Sequence, residues 1–180
     1  MSRILTFSHN LIDPLNPETE LVDIVDIAHA LSMLCRANGH FPTFYSVGQH
    51  CVNCANEARA RGYTKRVQLT CLLHDASEAY LSDVTRPIKQ ELPKYKEIEE
   101  PLQDFIWQKY MGQPLSSEEY KQVFQIDDDV LALEFIQLMK WPLSEDVPEM
   151  ASQPVFEFTG FETCQKEFLA LFERLIKEID

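Results

Sequence analysis

The stretch Cys71-Leu72-Leu73-His74-Asp75-Ala76-Ser77-Glu78 delivers an adjacent histidine and aspartate at the end of an apolar run. Because side chains three and four positions apart share one face of a helix, Glu78 is expected beside both Asp75 and His74, while the leucines point into a core. The octet therefore predicts two metal ligands and one acid/base group on a single helical segment. The alternative interpretation is a buried histidine capped by its neighbouring aspartate, or a solvated polar face.

The composition is that of an ordinary globular protein. The chain has 180 residues, of which 45% are hydrophobic and 25% charged, and this length suffices for one domain with a single core. The sequence contains no apolar segment of about 18 residues, and its N-terminal region lacks the apolar run of a signal peptide. Five cysteines, an odd number, suit a reducing compartment. We therefore expect a cytoplasmic protein without a disulfide framework.

The net charge of −13 opposes broad contact with nucleic acid polymers or with anionic membranes. A small anion would instead need a local positive site. Two cations, Arg86 and Lys89, follow the octet closely and are candidates for contact with such an anion. Their alternative interpretation is as solvated surface cations.

Hydrophobic periodicity and capping signals predict an all-α chain. Apolar stripes at helical spacing, with capping boxes beginning at Ser46 and Ser116, predict helices at about residues 24–37, 46–61, 65–80, 95–110, 116–140 and 161–178. Residues 1–21 are expected to form an extended or irregular arm, and residues 141–158 a loop. Residues 81–87 are expected to break helicity, since Pro87 disfavours helical geometry at the residue before it, Arg86.

Candidate metal ligands lie on three separate predicted helices. They are His50, His74, Asp75 and one of the aspartates at 127–129, which a helical bundle could bring together. Two imidazoles and two carboxylates suit a divalent transition metal such as Mn, Co, Fe, Ni or Zn better than Ca, and an octahedral ion would keep positions for water and a phosphoryl oxygen. The CxxC spacing of Cys51 and Cys54 has no second CxxC and no βαβ context, so we interpret it as a small-residue helix face.

The order His50, His74-Asp75, Asp127 resembles the H…HD…D signature of the HD-domain metal-dependent phosphohydrolases, an all-α family. Over about residues 20–140 the chain further resembles the YfbR/YfdR-like 5′-deoxynucleotidase branch of that family, which includes prophage-encoded members. Four blocks carry this resemblance: Arg36 to Gly39, Phe44 to His50, Leu73 to Tyr80 and Asp83 to Lys89. It implies a single HD domain over residues 1–180, with a core at about 20–140 on which the helix 161–178 packs.

The resemblance also implies roles for individual residues. His50, His74, Asp75 and Asp127 would be the metal ligands, and Glu78 would position the nucleophilic water and act as acid/base. Asp127 is preferred over its neighbours because the last aspartate of the family typically precedes a Leu-Ala-x-Glu ending, which is present here at residues 131–134.

Two further residues match the substrate pocket of the family. Arg36 resembles an arginine that holds the substrate phosphate, and Asp83 matches a residue near the sugar pocket. Some members carry a tryptophan after that arginine, which helps to exclude a ribose 2′-hydroxyl, whereas Ala37 stands here. The sequence therefore leaves the choice between ribose and deoxyribose open.

The first expectation for function is a phosphomonoesterase that converts nucleoside 5′-monophosphates to nucleoside and phosphate. One alternative is hydrolysis of another phosphate ester or of a nucleotide polyphosphate. The other is a non-catalytic helical module that binds nucleotide or a partner, although such a module would not need the water-positioning carboxylate of Glu78. The family analogy also suggests a homodimer.

Overall fold

The computed structural model describes residues 3–179. It is all-α, as the sequence predicts, with the exception of a short hairpin. A 3₁₀ turn at Arg36–Gly39 follows the first helix, and a π-helical segment at Phe135–Met139 continues the seventh. The helices are α1 Ile24–Met33, α2 Val47–Ala60, α3 Lys65–Leu73, α4 Glu78–Leu81, α5 Arg86–Gln90, α6 Pro93–Met111, α7 Ser117–Glu134 and α8 Phe161–Ile176. Among the residues described, no helix has the length and apolarity that would be needed to cross a membrane.

The N-terminal arm contains a hairpin that the sequence did not predict. Strand β1, Ile4–Leu5, pairs antiparallel with β2, Leu11–Ile12. Asp26 of α1 accepts hydrogen bonds from the backbone N–H of Ser8 at 2.6 Å and from the side chain of Asn10 at 3.4 Å, and so ties the turn to the helix. Strands of two residues are too short to show an alternating pattern, so the sequence predicted only an extended or irregular arm here.

Helix α2 is the centre of the packing and contacts α1, α3, α7 and α8. Near its start, a Cβ on Gly48 would lie 3.1 Å from Sγ of Cys164 and from two atoms of Ser32, so a larger residue would push α1 and α8 away. The residues of α2 on this side belong to the hydrophobic core, which also contains Phe168 and Leu175 of α8. The predicted packing of the C-terminal helix on the rest of the core is therefore present.

The predicted third helix breaks at the octet. Helix α3 ends at Leu73, residues 74–77 form successive turns, and α4 begins at Glu78. The side chain of Gln103 in α6 accepts a hydrogen bond from the backbone N–H of Ser77 at 3.0 Å and donates one to the carbonyl of Leu73 at 2.7 Å. The buried amide of Gln103, on a helix distant in sequence, thus satisfies backbone groups at the break. The octet itself contains no local sequence signal that predicts this break.

Two other helix boundaries differ from prediction. The predicted break at residues 81–87 is present between α4 and α5 but is shorter, because α5 already begins at Arg86, with Pro87 in its first turn, where the missing N–H of proline costs no hydrogen bond. The first helix ends at Met33 rather than near Ala37.

The segment after α1 adopts a strained turn. Ala37, Asn38 and Gly39 have positive φ angles of 53°, 51° and 75°, although only the third is a glycine. Left-handed geometry costs a non-glycine residue about 1–2 kcal/mol. The strain directly follows Arg36, one of the predicted substrate-binding residues.

A ladder of polar side chains on α2 holds the segment 151–157. The capping box predicted at Ser46 is only half confirmed. Oγ of Ser46 accepts a hydrogen bond from the backbone N–H of Gln49 at 3.0 Å, but the Gln49 side chain does not reach back and instead donates to the carbonyls of Val155 and Glu157. One turn later Asn53 both accepts from and donates to the backbone of Val155. The second predicted capping box, at the start of α7, is complete.

Glu57, the next step of this ladder, is fully buried. It accepts hydrogen bonds from the backbone N–H groups of Ala151 and Ser152 at 2.9 and 2.8 Å, and from Nε of Arg61 at 2.7 Å. Burial by itself raises the pKa of Glu57, but the hydrogen bonds from Ser152, Ala151 and Arg61 outweigh it and lower the pKa below its ordinary value. The ionised carboxylate is therefore the form that stabilises the fold.

Replacing this carboxylate should destabilise the protein in a pH-dependent way. We expect Glu57→Gln to lower the free energy of unfolding at pH 7 by about 2–3 kcal/mol, because an amide cannot accept all of these hydrogen bonds. Since the folded pKa is depressed, the stabilisation is present above the unfolded pKa of about 4.3 and is lost as the pH falls through the folded value. Urea unfolding at pH 7 and at acidic pH measures this, with the exposed Glu173→Gln as control. A pH-independent difference between Glu57→Gln and wild type would contradict it.

Candidate metal centre

The structure brings the four predicted metal ligands together. His50 comes from α2, His74 from the C-terminus of α3, Asp75 from the turn that follows and Asp127 from α7. Nε2 of His50 lies 3.1 Å from Oδ1 of Asp127 and 3.2 Å from Nε2 of His74, which itself lies 3.3 Å from Oδ2 of Asp75. Two separations are longer: Nε2 of His74 lies 3.6 Å from Oδ1 of Asp127, and Nε2 of His50 lies 4.0 Å from Oδ2 of Asp75.

These separations fit a metal ion bound at the centre of the group. Bonds of about 2.1 Å to nitrogen and oxygen place neighbouring ligand atoms about 3.0–3.4 Å apart and opposite ones about 4.2 Å apart. The distances from Nε2 of His50 to the other three ligand atoms are 3.1, 3.2 and 4.0 Å, within that span. Two overlapping groups of three here have ligand atoms close enough together to hold a metal ion: His50 with Cys54 and His74, and Cys51 with His74 and Asp75.

Hydrogen bonds behind the two imidazoles direct both Nε2 atoms to the same point. Nδ1 of His74 lies 2.7 Å from the carbonyl oxygen of Cys71, and Nδ1 of His50 lies 2.6 Å from Oε1 of Glu134. A carbonyl or carboxylate oxygen only accepts, so each Nδ1 is the donor in these two bonds, and a neutral ring that donates from Nδ1 presents a bare Nε2. The lone pairs of two bare Nε2 atoms 3.2 Å apart would repel each other unless a proton or a metal ion is bound between them.

The pKa shifts of His74 and Asp127 also indicate that this group stabilises positive charge. Burial acts to lower the pKa of His74, but the charge of Asp75, with contributions from Cys51 and Asp127, raises it well above its ordinary value. For Asp127, burial acts to raise the pKa, whereas the hydrogen bonds and charges of the two histidines lower it well below its ordinary range. The centre therefore stabilises a cation, either a proton or a metal ion.

Cys54 lies closer to the centre than the sequence indicated. Its Sγ is 3.5 Å from Nε2 and 3.9 Å from Nδ1 of His50, so the sulfur lies beside the ring rather than along the lone pair of Nε2. Burial raises the pKa of Cys54 well above its ordinary value and that of Cys51 to about 11, which keeps both thiols protonated. The spacing of four residues between His50 and Cys54 was the signal that could have placed them on one helix face.

Glu134 is a second residue that sequence reasoning missed as part of the site. It is fully buried, and its two oxygens accept from His50 and from Nε of Arg36, the latter at 2.8 Å. Burial acts to raise its pKa, but Arg36 and His50 lower it below its ordinary value. Its spacing of seven residues from Asp127, about two helical turns, was the available signal.

Arg36, predicted to bind phosphate, lies at the edge of the ligand group. Its terminal nitrogens are 3.5 Å from Oδ2 of Asp75 and 3.6 Å from Oδ1 of Asp127. Its backbone N–H donates to the carbonyl of Tyr45 at 2.9 Å, and this bond anchors the start of the left-handed turn. A buried guanidinium thus stands directly beside the candidate metal ligands.

Glu78, the predicted acid/base, is buried next to this group. Its Oε1 accepts from Nζ of Lys89 at 3.3 Å, whereas its Oε2 has no hydrogen-bond partner within residues 3–179. Burial, followed by the charges of Asp75 and Asp83, raises the pKa of Glu78 well above its ordinary value, against the opposing effect of Lys89. Lys89 also donates to Glu99 at 2.6 Å, a partner that the sequence did not indicate.

The remaining predicted substrate-binding residues lie at the rim. Nη2 of the half-exposed Arg86 is 3.3 Å from Oδ2 of Asp127, and Nη1 is 2.7 Å from Oδ1 of Asp128. Asp83 follows α4, and burial raises its pKa while the charge of Arg36 opposes the rise. Both cations that follow the octet, Arg86 and Lys89, are therefore paired with carboxylates at the site rather than being isolated on the surface.

Comparison with known proteins identifies relatives of this chain. No family model matches it. It is 35% identical over 152 residues to the uncharacterized protein YfdR of Escherichia coli (strain K12), a match that covers 82% of each chain. It is also 37% identical over 97 residues to an uncharacterized protein of Rhodobacter capsulatus, a match that covers 51% of this chain and 49% of the relative. The identity to YfdR and its coverage show that the chain belongs to the same family as Escherichia coli YfdR.

Proposed function

We propose that the protein is a metal-dependent phosphomonoesterase that hydrolyses nucleoside or deoxynucleoside 5′-monophosphates to nucleoside and phosphate. The observation that carries this proposal is the convergence of two imidazole nitrogens and two carboxylate oxygens beside a buried arginine, Arg36. The resemblance of the same residues to the HD-domain phosphohydrolases supports the choice of reaction.

His50, His74, Asp75 and Asp127 would hold one divalent transition metal ion. Two nitrogens and two oxygens without a thiolate favour Mn, Co, Fe, Ni or Zn over Ca. When bound, such an ion supplies Lewis-acid polarisation of a phosphoryl oxygen and lowers the pKa of a water molecule.

Cationic side chains would bind the phosphate. The planar guanidinium of Arg36 can donate two parallel hydrogen bonds to phosphate oxygens, and Arg86 lies at the rim on the other side of Asp127. Local cations matter here because the chain as a whole carries a net charge of −13, which repels a dianionic substrate.

Glu78 would handle the proton. Burial and the charges of Asp75 and Asp83 raise its pKa, so it keeps its proton to a higher pH than an ordinary glutamate, and Oε2 has no competing partner among the described residues. As water attacks phosphorus and the bond from phosphorus to the 5′ oxygen breaks, Glu78 gives its proton to that oxygen and regains one from the attacking water. Lys89 orients the carboxyl group through Oε1.

Phosphate release from chelator-stripped protein resupplied with Mn²⁺, Co²⁺ or Zn²⁺ tests the proposal directly. With a panel of ribo- and deoxyribonucleoside 5′-monophosphates, we expect metal-dependent release that falls by at least about 100-fold in Asp75→Asn, since loss of a ligand weakens retention of the ion. The exposed Asp104→Asn on α6 is the matched control and should keep full activity. If folded, metal-loaded protein releases phosphate from none of these substrates, the nucleotidase proposal fails, and release from polyphosphates or other esters would then identify the alternative reaction.

The role of Glu78 has its own test. Glu78→Gln should lower kcat by about 100- to 10,000-fold, the usual range for loss of general acid–base catalysis, while the affinity for Co²⁺ stays unchanged because Glu78 is not a ligand. Steady-state kinetics and Co²⁺ titration measure the two effects, with the exposed Glu91→Gln as control. Wild-type kcat in Glu78→Gln would exclude the acid/base role.

A further inference from the structure

Glu134 contacts both functional parts of the site at once. It is the last residue of α7, it is fully buried, and each of its carboxylate oxygens has a different partner. Oε1 accepts from Nδ1 of His50 at 2.6 Å, and Oε2 accepts from Nε of Arg36 at 2.8 Å. One carboxylate therefore connects a candidate metal ligand with the candidate phosphate-binding arginine.

We infer that Glu134 is a positioning residue whose carboxylate sets the placement of His50 as metal ligand and of Arg36 as phosphate ligand relative to each other. The inference rests on the proposed function, since it takes His50 to hold a metal ion and Arg36 to bind phosphate. It adds that both binding properties depend on one side chain that touches neither the metal nor the substrate.

The contact with His50 determines which ring nitrogen is free. Oε1 of Glu134 can only accept, and it lies at 2.6 Å from Nδ1, closer than Oδ1 of Asp127 lies to Nε2, at 3.1 Å. The proton of a neutral ring is therefore expected on Nδ1, which leaves the lone pair of Nε2 directed towards His74 and Asp127. Another polar atom near Nδ1, Sγ of Cys54 at 3.9 Å, is a weak partner. Partners of this kind fix the orientation of a metal-binding histidine and raise its basicity.

The contact with Arg36 determines which of its nitrogens are available. Glu134 engages Nε, and the two terminal nitrogens face Asp75 and Asp127 at 3.5 and 3.6 Å. These distances are longer than those of good hydrogen bonds, so the terminal nitrogens keep donor capacity for phosphate oxygens. The backbone bond from Arg36 to Tyr45 places the residue but does not orient the guanidinium; Glu134 does.

A purely structural ion pair predicts a different outcome from a positioning residue. If Glu134 only neutralised Arg36 in the protein interior, its replacement would lower stability and leave binding by the folded protein unchanged. If it positions both partners, the replacement changes metal affinity and phosphate affinity together. Equilibrium binding separates the two cases without relying on turnover.

The test compares Glu134→Gln, Arg36→Lys and Glu57→Gln with wild type in two titrations: Co²⁺ followed by its visible absorption, and inorganic phosphate added to the Co²⁺-saturated protein. A glutamine offers one acceptor oxygen where glutamate offers two, so we expect Glu134→Gln to weaken Co²⁺ binding by about 10- to 100-fold and phosphate binding by at least about 10-fold. Arg36→Lys should weaken phosphate binding alone. Glu57→Gln, which removes the other fully buried glutamate described above, should alter neither dissociation constant.

Folded Glu134→Gln that binds Co²⁺ and phosphate like wild type would overturn the inference, and so would loss of metal affinity with phosphate affinity intact. Wild-type protein that binds no Co²⁺ would instead refute the proposed function on which the inference rests. A measurement on the unsubstituted protein applies even if Glu134→Gln does not fold. Long-range ¹H–¹⁵N spectra at pH 8 should show the His50 ring protonated at Nδ1, and a ring without a proton at Nδ1 would overturn the inference.

Discussion

The arrangement of the site depends on the acceptors that stand behind its two histidines. Two bare Nε2 atoms 3.2 Å apart are unfavourable by themselves, and they stay in place because each ring donates its Nδ1 proton to a buried acceptor. For His74 that acceptor is a backbone carbonyl at the end of α3, and for His50 it is Glu134, more than eighty residues away in sequence. The packing of α2, α3 and α7 thus brings the two Nε2 atoms so close together that a cation is needed between them.

Helix α2 carries two kinds of polar side chain with different tasks. On one side His50 and Cys54 face the candidate metal centre, while Gln49, Asn53 and Glu57 bind the backbone of the segment 151–157. The close approach at its first turn leaves little freedom to shift against α1 and α8. A ligand on a helix held on several sides is positioned more accurately than one on a loop, which is what a metal site requires.

Charge is distributed unevenly between the chain and its site. The protein carries a net charge of −13, yet Arg36, Arg86 and Lys89 all lie beside the candidate metal ligands. Each is paired with a carboxylate, so the cations are held in place rather than left mobile. The left-handed turn after Arg36 is a local strain at the same place, in keeping with the tendency of strained backbone to occur at functional sites.

The sequence by itself determined the helical architecture, the N-cap serines of α2 and α7 and the types of the candidate ligands, because periodicity, capping boxes and the His-Asp pair are local patterns that depend on few neighbours. Only the tertiary structure decided the break after Leu73, where Gln103 arrives from α6, and the contacts of Glu134 and Glu99 with the site. Cys54 illustrates the same limit, since its helical spacing from His50 is local but its approach to the candidate metal centre follows from how α2 packs. Helix faces can be read from spacing, whereas contacts between distant segments depend on the packing of the whole core.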